Sequence, residues 1–266
     1  KGRYPHLLVM TATPIPRTLA LTLYGDLDVS VVDQAPPGRG RVRTFVRSRD
    51  KLPKVWDFVR KELGQGRQAY VVCSRVDDDG GGEVRAVTRE LAGIRKTLEP
   101  HAVEMLHGRM DGEEKARVMD GFRSRRTEVL LATSVIEVGV DVPNATVMVI
   151  ENAEQFGLAQ LHQLRGRIGR GGLASTCVLV MGRESDEIRE RLKVLEDSTD
   201  GFAIAEADLR MRGPGEMLGQ AQSGLPPFRF ADLAADRTLL EAAREAVAAA
   251  WKPTEGPGPG VRTPGV

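Results

Sequence analysis

From Val42 onward the apolar residues fall into two alternating rhythms. Short, largely apolar runs of four to six residues, at Val42 to Val46, Ala69 to Cys73, Val103 to Leu106, Val129 to Ala132, Thr146 to Glu151 and Thr176 to Met181, have the composition of buried strands. Between most of them lie segments whose apolar positions recur three and four residues apart. These predict helices over Lys51 to Leu63, Glu83 to Leu98, Gly112 to Phe122 and Leu158 to Arg170. Strands this apolar, alternating with helices, form parallel sheets covered on both faces. The pattern therefore predicts one doubly wound α/β domain from about Val42 to Gly182.

The flanking regions have a different texture. Leu7 to Met10 reads as a short buried strand that hands over to a loop at Thr11, Ala12 and Thr13, because Pro14 disfavours helical geometry at the residue before it. A short helix is expected around Arg17 to Tyr24 and an alternating strand over Asp28 to Asp33, after which Pro36, Pro37, Gly38 and Gly40 mark a boundary. Beyond Gly182 the strands stop: Glu184 to Leu195 and Phe202 to Arg210 look helical, Gly213 to Gly224 is glycine-rich, and Asp232 to Trp251 is an Ala-rich amphipathic helix. The last 14 residues hold four Pro and four Gly, too little apolar surface to offset the entropy of ordering, so a disordered tail is expected. The expected division is 1–41, 42–182, 183–252 and the tail 253–266.

Composition narrows the function classes. With 41% apolar and 28% charged residues among 266, the chain is neither broadly disordered nor a membrane protein, and no apolar run approaches the roughly 18 residues of a bilayer span. A cytoplasmic protein is expected. The chain opens on Lys1 without an initiator Met, directly before a strand-like run, so a fragment or processed piece is expected. Lys plus Arg number 38 against 37 Asp plus Glu, so only local clustering can signal a polyanionic partner. Cys73 and Cys177 each sit in an apolar run, and the four histidines form no His-Glu-x-x-His pair, so buried reduced thiols and no metal centre are expected.

Ligands of open parallel sheets gather at the carboxyl ends of strands, which directs attention to the residues after each strand. The strongest signal is Gln163 to Arg170. On a continuous helix, Gln163, Gly166, Arg167 and Arg170 would form one stripe, with Leu161, Leu164 and Ile168 on another. Gly166 and Gly169 inside a helix each cost about 1 kcal/mol, which points to something approaching the backbone closely. Arg165, Arg167 and Arg170 stand in a stretch, Gln160 to Gly172, without an acidic residue, an array suited to polyphosphate. The plainer alternative is a solvated basic helix. Thr133 and Ser134 offer hydroxyls after a strand, Gly139 permits unusual backbone geometry and Asp141 could accept from a ribose hydroxyl, although Thr133 could equally cap a helix. Thr11 and Thr13 fit either a phosphate contact or a plain turn. A second basic cluster, Arg39, Arg41, Arg43, Arg47 and Arg49, contains no acid between Pro36 and Arg49. It suits a nucleic-acid backbone or, equally, an edge strand protected from aggregation by its charges.

Met10 to Asp33, Leu106 to Met110 (LHGRM), Ala132 to Ala145, Glu151 to Gly171 and Asp200 to Gly219 together resemble superfamily 2 helicases, and within them the ATP-dependent branch-migration helicases of the RecG type. The resemblance covers nearly everything from Lys1 to about Lys252. It implies that residues 1–41 end a first RecA-like lobe, with Thr11 and Thr13 in motif III, and that 42–182 is the second RecA-like lobe. Thr11, Thr13, Gly108, Arg109 and Thr133 would touch DNA; Gly139, Asp141 and Gly166 would touch nucleotide; Gln163, Arg167 and Arg170 would be catalytic, their arginines reaching the γ-phosphate. Asp200 to Ser223 would form the helical hairpin and loop that couple lobe closure to movement along duplex DNA, through Arg210, Arg212, Gly213, Gly215, Glu216 and Gln222. ATP and Mg2+ are the implied cofactors, and branched DNA, as forks or Holliday junctions, the implied partner of a monomer. The chain contains no Gly-x-x-x-x-Gly-Lys-Thr/Ser loop and no acidic box closing a strand, so both are expected upstream and this piece alone is expected to be inactive. Val76 to Gly82 and Ala221 depart from the family pattern. The competing expectations are a fragment of the transcription-repair coupling factor, which shares these motifs, and a non-catalytic nucleic-acid-binding lobe.

Overall fold

The computed structural model describes residues 8, 10, 30, 32, 38–73, 82–133, 141–212 and 237–250. Its centre is a six-stranded sheet built from β1 (Val42–Ser48), β2 (Gln68–Val72), β3 (Val103–Leu106), β4 (Val129–Ala132), β5 (Ala145–Ile150) and β6 (Ser175–Met181). All pairings are parallel and the order is β1-β6-β5-β2-β4-β3. Among the described residues the α-helices are α1 (Leu52–Leu63), α2 (Gly82–Leu98), α3 (Gly112–Arg123), α4 (Leu158–Arg165), α5 (Asp186–Asp197), α6 (Gly201–Arg212) and α7 (Arg237–Ala250).

Side-chain alternation along the strands divides the core in two. Tyr70 and Val72 of β2, with Cys177, Leu179 and Met181 of β6, face the layer made by Phe122, Leu158, Leu161, Leu164, Leu192 and Ile204 from α3, α4, α5 and α6. Ala69 and Val71, with Val178 and Val180, face Val55, Trp56, Val59, Ile94 and Leu98 from α1 and α2. The near-continuous apolar runs are thus explained by burial on both faces. This is the expected doubly wound α/β arrangement of a RecA-like lobe. Local chemistry supports each turn back to the sheet: Asp111 caps α3 by accepting from the Glu114 amide at 2.7 Å, and Pro53 lies in the first turn of α1.

β1 is an outer strand, with Thr44 and Val46 buried and Arg47 lying over the Phe45 ring at 4.9 Å. Arg47 also faces Glu196 at 3.9 Å. Charge on this edge therefore coexists with the protective reading of the basic cluster. Upstream the expectation of a buried strand fails at the residues that can be described. Leu8 and Met10 are exposed and outside any strand, as are Ser30 and Val32, because no described element packs over them. The expected helix over Arg17 to Tyr24, the rest of the strand over Asp28 to Asp33, the glycine-rich stretch and the tail lie outside the described residues. Among the described residues no helix is long and apolar enough to cross a membrane.

The Tyr70 and Phe122 rings meet at 5.0 Å between β2 and α3, and both are fully buried. Phe122→Ala should therefore cost about 3–5 kcal/mol of unfolding free energy. A urea titration showing less than about 1 kcal/mol would mean that this junction does not anchor the sheet to its helical layer.

Candidate functional site

A parallel sheet forces every connecting helix to return the chain to the amino edge of the strands. The motif-bearing residues consequently separate onto two opposite edges. Residues 166–174 connect α4 to β6, Asp141 to Asn144 lead into β5, and Gly38 to Arg41 lead into β1; all three segments lie at the amino edge. This corrects the expectation that the arginine signal sits at the carboxyl ends.

The expected long helix is also corrected. α4 stops at Arg165, Gly166 is its C-cap, and Gly169 has φ +76°, so Arg167 and Arg170 belong to a turn and not to a helical stripe with Gln163. The glycines are required by this chain's own backbone. A Cβ on Gly169 would stand 2.7 Å from Val42 Cγ2 and 3.1 Å from the Gly40 carbonyl oxygen, and one on Gly171 would stand 2.5 Å from the Pro143 carbonyl oxygen. The close approach inferred from sequence is real, but the approaching groups are the segments that open β1 and β5. The Gly40 amide donates to the Gly169 carbonyl at 2.8 Å, and the Arg39 guanidinium donates to the Gly166 carbonyl at 2.8 Å.

The three arginines of the stretch have different fates. Arg165 is buried: it donates to Thr44 Oγ1 at 3.3 Å and to the Leu195 and Ser198 carbonyls at 2.7 and 2.8 Å, fastening the end of α5, and is no part of an exposed array. It also reaches His162 Nδ1 at 2.9 Å. Arg170 donates through Nε to the Gly166 carbonyl at 3.2 Å and faces Asp141 at 3.9 Å. With Arg170 and Asp141 side chains 32% and 57% exposed, that pair contributes at most about 1 kcal/mol. Arg167 is half-buried in the same turn, and its amide donates to the Leu164 carbonyl at 2.9 Å.

Arg167, Arg170 and Asp141 all act on one buried group. The Tyr70 hydroxyl is pushed up to about 12 by burial, against the opposing pull of the Arg167 and Arg170 charges, while Asp141 adds to the rise. Both guanidiniums thus lie within Coulombic reach of the same phenol. Two arginines beside one loosely paired carboxylate suit an incoming anion carrying several charged oxygens. Among the described residues no three His, Cys, Asp or Glu side chains converge to hold a metal ion.

The carboxyl edge carries the other set. Gly108 and Arg109 are exposed in the turn after β3, where the Arg109 amide donates to His107 Nδ1 at 3.2 Å and Lys115 Nζ donates to the Gly108 carbonyl at 2.8 Å. Thr133, at the end of β4, is fully buried, and its hydroxyl has no partner among the described residues. The hydroxyl is therefore withdrawn from the surface where a DNA contact was expected. Arg210 is exposed on α6, and Arg212 ends that helix. Thr11, Thr13, Ser134, Gly139, Gly213, Gly215, Glu216, Ala221 and Gln222 lie outside the described residues. Both cysteines are buried free thiols; burial pushes Cys177 up to about 12 and raises Cys73 beside Glu90, so neither is a ready nucleophile. Sequence reasoning grouped Arg39 with the basic strand cluster and missed its bond to the arginine turn. The available signal was the pairing of Gly38 and Gly40 around it with Gly166 and Gly169, four backbone positions cleared for contact.

Residues 50–172, which hold β2 to β5 and the arginine turn, match the family described as Helicase conserved C-terminal domain. Residues 198–254 match ATP-dependent DNA helicase RecG, domain 3, C-terminal. Over nearly its whole length the chain is similar to the C-terminal portion of RecG helicases. It is 52% identical over 247 residues to the ATP-dependent DNA helicase RecG of Synechocystis sp., covering 92% of this chain and 30% of that protein. It is 50% identical over 248 residues to the same protein of Thermotoga maritima, covering 93% and 32%. A solved structure described as RecG bound to three-way DNA junction is 46% identical with a TM-score of 0.70, covering 91% of this chain and 32% of that one. The chain thus spans about a third of the length of these relatives.

His162 supplies a test of the packing beneath the turn. Burial, together with the Arg165 and Arg39 charges, holds its imidazole down to about 4 from an ordinary 6.5, so the neutral ring can accept from Arg165. Between those two values the unfolded chain binds the proton more readily than the folded one, so stability falls as pH falls through that window and is level above it. The urea midpoint should drop between about pH 7 and pH 4.5, and His162→Gln, whose amide oxygen can accept the same bond, should flatten the drop. An equally steep fall in the variant would remove His162 as its cause.

Proposed function

We propose that this chain is the C-terminal part of an ATP-dependent double-stranded DNA translocase that remodels stalled replication forks and branch-migrates Holliday junctions. The observation that carries the reading is the placement of Arg167 and Arg170 in one turn, with Arg170 facing Asp141 at 3.9 Å. In this reading residues 42–182 form the second helicase lobe, 183–252 the helical and translocating part, and 1–41 the end of the first lobe with the connection between them. The match of residues 198–254 to the RecG domain supports this over the coupling-factor alternative.

ATP would lie against the amino edge of this sheet, sandwiched with a wall supplied by the portion of the relatives that this chain does not span. Arg167 and Arg170 would neutralise charge developing on the γ-phosphate, which is the chemistry that planar guanidinium forks perform in phosphoryl transfer. Asp141 would exchange its loose contact with Arg170 for a ribose hydroxyl, Gln163 and Gly139 would complete the pocket, and the Gly166 carbonyl would hold Arg170 in place. The single carboxylate here does not make a magnesium cage, so Mg2+ would be held by carboxylates of the other wall. DNA would cross the opposite edge, met by Gly108 and Arg109, with Thr133 acting through the loop that follows it. Arg210, Arg212, Gly213, Gly215, Glu216 and Gln222 would grip the duplex and move it when the lobes close. The protein would act as a cytoplasmic monomer on branched DNA.

In the complete protein Arg170→Ala should lower DNA-stimulated ATP hydrolysis by about 10³-fold or more while nucleotide still binds. Steady-state turnover near the normal rate would remove the arginine's role. The purified 266-residue chain should show no DNA-stimulated hydrolysis, and robust turnover by it would refute a site divided between two lobes. Gln222→Ala should leave hydrolysis largely intact and abolish fork regression in a gel assay; parallel loss of both would argue against a coupling role.

A further inference from the structure

We propose that Arg39 is a positioning residue that fixes Arg170 for phosphate through a shared carbonyl. The inference rests on the ATPase reading above and adds to it a residue outside the arginine turn. Arg39 lies 127 positions before Gly166, yet its guanidinium donates to the Gly166 carbonyl at 2.8 Å. The same oxygen accepts Arg170 Nε at 3.2 Å. A carbonyl has two lone pairs, and here both are occupied by arginines of opposite origin, one from the segment entering β1 and one from the turn itself. Arg170 held through Nε keeps its terminal nitrogens for other work, and Nη1 already faces Asp141 at 3.9 Å.

Three further contacts show that the segment and the turn form one unit. The Gly40 amide donates to the Gly169 carbonyl at 2.8 Å, and the Ser175 amide donates to the Arg41 carbonyl at 2.9 Å. A Cβ on Gly172 would stand 3.4 Å from the Gly38 carbonyl oxygen. Backbone bonds therefore locate the two strands of this clasp, and Arg39 adds the one side-chain tie that ends on the carbonyl holding Arg170. Arg39 is itself exposed, so its bond is not needed to fill the core. Its replacement should leave the fold in place and remove one of the two donors that share the Gly166 carbonyl, so that the Arg170 side chain loses the neighbour that confines it.

The test is steady-state ATP hydrolysis by the full-length protein carrying Arg39→Ala, Arg39→Lys, Arg170→Ala and the Arg39→Ala/Arg170→Ala pair. Arg39→Ala should lower kcat by about ten- to a hundredfold with KM for ATP unchanged, the scale of loss for a reacting group displaced by an ångström. Arg39→Lys, which keeps a donor, should recover most of the loss. The pair should be no slower than Arg170→Ala alone, because Arg39 acts only through Arg170. Wild-type turnover in Arg39→Ala, a raised KM with kcat preserved, or multiplied losses in the pair would each overturn the proposal. If Arg39→Ala does not fold, an Arg39→Lys protein with wild-type kcat supports the proposal, and one as slow as Arg170→Ala overturns it. Normal turnover in Arg170→Ala would sink the ATPase reading itself, whereas loss there with full activity in Arg39→Ala would sink this inference alone.

Discussion

Parallel strand pairing dictates where every functional segment of this chain can lie. Once β1 to β6 all run the same way, each helix that connects two strands must carry the chain back across the sheet, and its far end must emerge at the amino edge. The turn bearing Arg167 and Arg170 has no other place to be. The residues that follow β3 and β4 must equally emerge at the carboxyl edge. A strand of four to seven residues is about 13–23 Å long, so nucleotide and duplex DNA, if bound as proposed, sit on opposite rims of one rigid sheet. A change at one rim can be felt at the other because both are fastened to the same strands.

The amino rim is fastened by backbone and not by bulky side chains. Gly40, Gly169 and Gly171 stand where a Cβ would collide with a neighbouring carbonyl or methyl, and the bonds that result are amide to carbonyl. Such contacts leave little slack, since removing side chains lets the main chains approach directly. The rim's position relative to α5 is then set from below by Arg165, whose three oxygen acceptors come from β1 and the end of α5.

Much of this architecture was legible in the sequence, because burial on both faces leaves a run of apolar residues that periodicity detects. β3 and β4 begin and end where the apolar runs do, and the other strand ends differ by at most two residues. What failed has a common physical origin in long-range contact. The helix through Arg170 was extrapolated from local spacing, whereas Gly169 at φ +76° is set by Val42 and Gly40, more than a hundred residues earlier. Those glycines are legible as places of close approach, but nothing local reveals that the approaching partner is this chain's own backbone. Leu8 and Met10 carry an apolar pattern without the surface that would bury it among the described residues. Arg109 is legible because its residue type and its position after β3 coincide, whereas Arg170 and Asp141 are legible by residue type alone, since both lie in segments that lead into strands. Arg39 was legible only as a charge.

Arg39, Arg165, Arg167 and Arg170 illustrate how one basic stretch is divided by burial. Bringing four guanidiniums together without an acidic residue in the loop is unfavourable unless each finds oxygen, and the fold supplies it unevenly. Arg165 receives carbonyls and a hydroxyl in the interior, where a neutral His162 avoids adding a further charge. Arg39 and Arg170 share one carbonyl at the surface, and Arg170 has a single carboxylate at a long distance. The buried arginine is saturated and structural. The exposed pair has fewer oxygen partners, at a turn whose backbone is clasped, and under the proposed ATPase reading this is where the triphosphate would bind.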